Sequence, residues 1–137
     1  MISVEDALNK ILDTISPLGL EKVSILDALG RVLGEDFFAG RAIPPYDNSA
    51  MDGYAICTED SRGASPESPV RLDVIEEIRA GTVPTKTIGP REAARIMTGA
   101  PLPLGADAVV RMEDTRKDGD RVLVFTVATK GWNIRCA

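Results

Sequence analysis

Residues 108–128 read AVVRMEDTRKDGDRVLVFTVA, and this stretch decides the fold class. Its two ends, Ala108 to Thr115 and Arg121 to Ala128, carry the β-branched and aromatic residues that suit a half-buried pleated surface. Between them lies Asp118-Gly119, the strongest hairpin signal in the chain, because a tight turn needs positive φ and glycine supplies it at no steric cost. RVLVFTVA is the best strand. Working upstream, Val70, Leu72, Val74, Ile75 and Ile78 mark a second half-buried run. RVLGEDFFA (31–39) reads as a β-like run before the turn-forming Pro44-Pro45, and Gly63 to Pro69 reads as a surface loop. The texture from Gly30 onward is therefore mainly β.

The start of the chain differs. Ser3 with Asp6 forms a capping-box pattern, and Val4, Ala7, Leu8, Ile11, Leu12 and Ile15 fall on one helical face, so a helix is expected up to Ser16-Pro17. A second short helix is expected from Ser24, with Asp27 three residues on, Ile25, Ala28 and Leu29 turned inward, and Gly30 as its left-handed cap. The segment Pro90 to Arg95 is ambiguous: its composition forms helices and its proline suits a first helical turn, yet it leads into Ile96-Met97 and a Gly/Pro loop.

Composition limits the function. A chain of 137 residues, 44% hydrophobic and 27% charged, has the size of one compact domain or two small lobes and buries an aliphatic core, with aromatics at only 4%. Sixteen basic against twenty-one acidic residues, interspersed, argue against a nucleic-acid or anionic-membrane surface. Histidine is absent, which excludes a Ser-His-Asp triad, a Cys-His dyad and a His-ligated metal. Cys57 and Cys136 form no CxxC pattern, and MISVEDALNK lacks the basic and apolar regions of a secretory signal. A cytoplasmic, soluble protein is expected.

Two clusters could carry chemistry. PPYDNSAMDGYA (44–55) packs two carboxylates, an amide, a hydroxyl and a glycine between two tyrosines; Asp47 and Asp52 are oxygen donors of the kind Mg²⁺ takes, directly or through its waters. The same residue types also build tight turns through side-chain to backbone hydrogen bonds. RIMTGAPLPLGADAVV (95–110) sets Thr98-Gly99 before a Pro-rich turn, which fits an anion cradle or a plain turn; without a GxxxxGK[ST] pattern it is not a P-loop. The acidic pairs Glu76-Glu77 and Glu113-Asp114 fit cation binding or solubility, and Trp132 fits a core or interface anchor.

Taken together, PPYDNSAMDGYA and RIMTGAPLPLGADAVVRMED resemble the molybdopterin molybdenumtransferases, the MoeA and gephyrin E-domain family. The resemblance extends from the leading helix through ALGRVLGED (28–36) to the closing GWNIR (131–135). It implies an α+β, mainly β fold: N-terminal helices and a first strand over residues 1–40, then a β-rich subdomain of the MoeA N-terminal-region type over 41–137, with the family's pterin-binding and C-terminal domains absent. It also favours strand over helix for Ala93 to Met97. The implied function is transfer of molybdenum from molybdate to adenylylated molybdopterin with release of AMP, in molybdenum cofactor biosynthesis. Mg²⁺ is the implied cofactor and Asp52 the implied metal-binding residue. A homodimer is implied, with molybdopterin adenylyltransferase as pathway partner. Asp52 in DGYA and Thr98 in TGA match the family's catalytic positions, with Thr98 suited to donate to an oxo or phosphate oxygen. Ser49, Gly53, Gly99 and Glu113 match substrate-binding positions in a supporting role. Half of the working cleft being absent, the chain alone is expected to be inactive; the alternative is a non-catalytic dimerisation or scaffold module of the same family.

Overall fold

The computed structural model describes residues 2–137, and chain packing divides it after Phe38 into two units. In the first, Ser3 Oγ accepts a hydrogen bond from the Asp6 amide at 3.0 Å and starts α1, Val4–Leu12. Glu5 and Asp6 near the start and Lys10 near the end complement the helix dipole. The helix stops short of the expected Ser16-Pro17, because the amides of Thr14 and Ile15 turn to the carbonyls three residues back. No residue of α1 is buried.

The expected second helix is a single turn, Ile25–Asp27, so the unit has one α-helix among the described residues. Ser24 does cap it, accepting from the Leu26 amide at 3.3 Å, and Gly30 does take a positive φ of 80°. Ile25, Leu26 and Leu29 remain exposed, and a helix nucleus without packing does not propagate. Arg31–Ala39 forms no strand either. Phe37 and Phe38 point into solvent and no neighbouring strand takes up their backbone groups.

The second unit, Ala39–Ala137, is built on a six-stranded sheet and a two-stranded one. Its strands are β1 (Asn48–Ser49), β2 (Gly53–Ile56), β3 (Val70–Ile78), β4 (Glu92–Ile96), β5 (Ala108–Arg111), β6 (Thr115–Asp118), β7 (Arg121–Val124) and β8 (Ile134–Arg135). The large sheet has the order β5-β2-β4-β3-β7-β6, and β1 pairs with β8. Only β3 and β4 run parallel. Apolar residues line both faces: Tyr54, Ile56, Leu72, Ala93, Val110 and Val122 on one, Ala55, Ile78, Ala94, Ile96 and Val109 on the other. This burial makes Glu92–Ile96 a strand despite its helical composition, since small alanines let β4 fit between β2 and β3.

The hairpin around Asp118-Gly119 is present but shorter than the sequence suggests. Met112–Asp114 forms a 3-10 turn that splits Ala108 to Thr115, sending β5 to one edge of the sheet and β6 to the other. Likewise β7 ends at Val124; the Phe125 amide donates to the Asp114 carbonyl and the Ala128 amide to Ser61 Oγ at 2.9 Å. Trp132 is 39% exposed rather than core, and its carbonyl accepts from the Val109 amide, covering the open edge of β5.

Gly53 governs how closely β2 and β5 approach. A Cβ at this position would lie 2.0 Å from the Val110 carbonyl oxygen. Gly53→Ala should therefore destabilise the chain by about 1–3 kcal/mol through overpacking, whereas Gly40→Ala, with nothing within 4 Å, should be close to neutral. Urea unfolding of both variants measures the difference, and equal midpoints would contradict the close approach.

Candidate functional site

Three loops meet at one end of β2. The segment before it is stitched to the segment after β4 by backbone pairs: Ser49 N to Ala100 O at 3.0 Å, Gly99 N to Ser49 O at 2.8 Å, and Leu102 N to Asp47 O at 3.0 Å. From the other side, the Met112 amide donates to the Asp52 carbonyl at 3.1 Å, and the Asn133 carbonyl accepts from Ala50 at 2.8 Å. Ser49 Oγ donates to the Met51 carbonyl at 2.5 Å and so closes the turn that presents Asp52.

Asp52 and Thr98, 46 positions apart, come into direct contact. The Thr98 amide and its hydroxyl both donate to Asp52 Oδ1, at 2.7 and 2.8 Å. Both residues are exposed. The backbone bond from Thr98, then its hydroxyl bond, and behind them the charge of Arg95, hold the Asp52 carboxyl below the ordinary 3.8. The hydroxyl proton is thus spent on Asp52, which differs from the expectation that Thr98 donates to a substrate oxygen; its lone pairs and Asp52 Oδ2 are what the pair offers outward.

Of the supporting residues, Ser49 and Gly53 are buried and shape the loop from behind, while Gly99, with φ of 81°, is half-buried beside Thr98. Glu113 is exposed in the 3-10 turn, next to the Met112 whose amide meets Asp52. Asp47 lies in the same stitched loop, but its carboxylate accepts from the Ala137 amide at 2.8 Å. Among the described residues no cluster of three or more acidic or thiol ligands surrounds a metal position. A lone exposed carboxylate fits Mg²⁺, which keeps several waters and takes one or two carboxylates together with substrate oxygens.

Two arginines flank the site that sequence reasoning passed over. Arg111, paired in register with Gly53, is held by Asp114 at 2.9 and 2.8 Å. Arg95, opposite Tyr54, has among the described residues a single long ion pair, 3.7 Å to Glu77. Their positions on β5 and β4 depend on strand register, which no local pattern discloses.

Over residues 2–137 the chain matches the family described as "MoeA N-terminal region (domain I and II)". It belongs to this MoeA family. Relatives named molybdopterin molybdenumtransferase include one from Nostoc, 40% identical over 98% of the chain, and molybdopterin molybdenumtransferase 2 of Mycobacterium tuberculosis, 49% identical over 82%. The chain spans 32% and 28% of their lengths. A crystal structure of the molybdopterin biosynthesis MoeA protein from Pyrococcus horikoshii superposes with a TM-score of 0.84 and 39% identity, covering 96% of this chain and 35% of that one. The mainly β fold with one α-helix is consistent with this MoeA relative. No helix among the described residues is long and apolar enough to cross a membrane.

The bond pattern predicts the titration of this MoeA-family site. A carboxyl with a lowered folded pKa favours the folded state above its ordinary pKa, and that contribution is lost as pH falls through the lowered value. In carbon-detected NMR titrations Asp52 should titrate below 3.8 in the parent and in Thr98→Ser. Thr98→Val should raise it while leaving it below the ordinary value, because the stronger backbone bond remains. Identical titration in Thr98→Ser and Thr98→Val would exclude the hydroxyl bond.

Proposed function

We propose that this chain is the N-terminal part of a molybdenum insertase that transfers molybdenum from molybdate to adenylylated molybdopterin, releasing AMP, and that it supplies one wall of a cleft shared within a homodimer. The observation that carries this reading is the Asp52–Thr98 contact, which joins the two motifs that carry the family resemblance at an exposed, charged point at the end of a buried inner strand. Asp52 and Thr98 are the proposed catalytic residues, Gly99 and Glu113 the neighbouring substrate-binding ones, and Ser49 and Gly53 their support. Molybdopterin adenylyltransferase is the proposed source of the adenylylated substrate, and the cytoplasm the proposed location.

Both substrates are anions, so a bare carboxylate would repel them. Asp52 Oδ2, with the Thr98 oxygen beside it, would hold Mg²⁺, which when bound supplies the positive charge that offsets molybdate and adenylate. Thr98 fixes Oδ1 and so sets the direction in which Oδ2 faces; glycine at 99 supplies the positive φ of 81° by which the chain turns away after Thr98. The exposed apolar face of α1, Leu8, Ile11 and Leu12 among its residues, supports a second copy as part of the working unit. The chain alone, lacking the opposing wall, should show no insertion, because groups that are not held opposite each other lose the advantage of positioning.

Asp52→Asn separates the chemical role from the turn. Asparagine can keep the bonds from Thr98 but lacks the charge that a divalent cation needs. In the full-length protein this variant should melt with the parent and lose insertion by about 10²-fold or more, with no recovery across a Mg²⁺ series. Retained activity in Asp52→Asn would instead favour the scaffold reading.

A further inference from the structure

Among the described residues two that are not glycine take a positive φ, Arg91 at 64° and Asn133 at 55°. Side chains other than glycine visit this region rarely, asparagine more readily than most, and an observed instance asks for a cause. Arg91 precedes β4, at the opposite end from Thr98; its amide donates to Asp60 at 2.9 Å and its guanidinium to the Arg71 carbonyl at 3.1 Å. Asn133 lies in the closing GWNIR, two residues after Gly131, which turns at a φ of 81° with nothing within 4 Å of where a Cβ would be. Where conformation alone is needed the chain uses glycine. At 133 it uses a residue with an amide.

That amide has an acceptor. Val109 of β5 lies opposite Ala55 of β2 and is fully buried. Its amide donates to the Trp132 carbonyl at 2.9 Å, and its carbonyl accepts from Asn133 Nδ2 at 2.8 Å. Residues 132–133 therefore serve the edge of β5 where a further strand would otherwise lie, and a buried carbonyl there needs its partner. The Asn133 carbonyl in turn accepts from the Ala50 amide at 2.8 Å. At its positive φ the chain passes from the edge of β5 into β8, which pairs with β1. Two residues beyond Ala50, the Asp52 carbonyl accepts from the amide of Met112, three residues beyond Val109. The bonds make a closed ring: Val109 to Asn133, Asn133 to Ala50, along the chain to Asp52, across to Met112 and back along the chain to Val109.

We infer that Asn133 is a positioning residue for Asp52, closing a ring of hydrogen bonds that holds the Ala50–Asp52 turn to the end of β5. The segment after β4 grips β1 from one side, through the bonds of Ser49 to Ala100 and Gly99. The ring grips the same turn from the other, so the backbone of Asp52 is fixed between them and its carboxylate stays within reach of both Thr98 donors. The turn cannot do this by itself. Ser49 Oγ bonds only the amide and carbonyl of Met51, which shapes the turn without fixing where it sits. The bearing of Asn133 on insertion rests on the proposed reaction; its hold on Asp52 does not.

Asn133→Gly is the test, because glycine keeps the positive φ and removes the side-chain donor. The amide and then the hydroxyl of Thr98 hold the Asp52 carboxyl below 3.8, so its titration reports how well the two residues meet. Carbon-detected NMR of the 137-residue chain should show Asp52 titrating closer to 3.8 in Asn133→Gly than in the parent, with faster hydrogen exchange at the Ala50 amide. Arg91→Gly, which removes the other positive-φ side chain at the far end of β4, should leave the Asp52 titration unchanged. In the full-length protein Asn133→Gly should lower kcat for insertion by about tenfold, as a displaced group does, with a smaller change in KM. An Asp52 titration unmoved in a folded Asn133→Gly overturns the inference, and so does insertion lost in Asp52→Asn but kept in Asn133→Gly. Insertion kept by both overturns the proposed reaction and leaves the titration to decide the role of Asn133. Should Asn133→Gly not fold, the parent decides: Asn133 Nδ2 protons that exchange as fast as those of the exposed Asn9 overturn the ring, and protected ones support it.

Discussion

The close approach of Gly53 to the Val110 carbonyl is the constraint on which the rest of the second unit depends. It lets β2 lie between β4 and β5 with all four of its residues buried. That double pairing leaves the strand no freedom to slip, because a shift of one residue would exchange the side chains of the two faces. With Gly53 opposite Arg111 on one side and Ile96 on the other, the residue before it is fixed as well. Asp52 is then met from β5 by the Met112 amide and from β4 by Thr98. The exposed carboxylate owes its position to a buried glycine.

The elements legible in the sequence were those whose signals are local. Ser3 caps α1 because its oxygen reaches the amide three residues on. Asp118-Gly119 turns a hairpin because Gly119 adopts a φ of 63°. The run from Val70 to Ile78 is one strand despite its bulge. What was not legible depended on partners far along the chain. Nothing in Ala108 to Thr115 says that Ala108–Arg111 belongs beside β2 while Thr115 already opens the strand that pairs with β7, since only the 3-10 turn of Met112–Asp114 separates their destinations. The turn at Ile25–Asp27 carries a correct cap but no packing, and a cap alone does not extend a helix. Conversely, Glu92–Ile96 is drawn into the sheet against its composition, because two flanking strands outweigh propensities of a few tenths of a kcal/mol per residue.

The site divides along the same line. Asp52 and Thr98 stand out in the sequence as members of two unusual clusters, and the fold brings them within a hydrogen bond. The direction of that bond was not visible. A threonine hydroxyl has one proton, and here the adjacent carboxylate accepts its hydrogen bond. Ser49 and Gly53, equally conspicuous in the sequence, are buried behind the loop. Arg95 was inconspicuous because a lone arginine in a helix-forming segment carries no signal until strand pairing shows what surrounds it.

The balance of charge around β2 follows from these placements. Its exposed end carries a carboxylate that the two hydrogen bonds from Thr98 hold in the ionised form. Two guanidiniums lie on the neighbouring strands in register with Gly53 and Tyr54. Asp114 consumes one, through a fork of two short contacts. Among the described residues the other is left with a buried, unpartnered Nε and a single long contact to Glu77 on β3. The two arginines thus differ by partner and not by place in the sheet: a carboxylate three residues along the chain closes a fork on Arg111, whereas Glu77 divides its two oxygens between Arg79 and Arg95 and reaches the latter only at 3.7 Å.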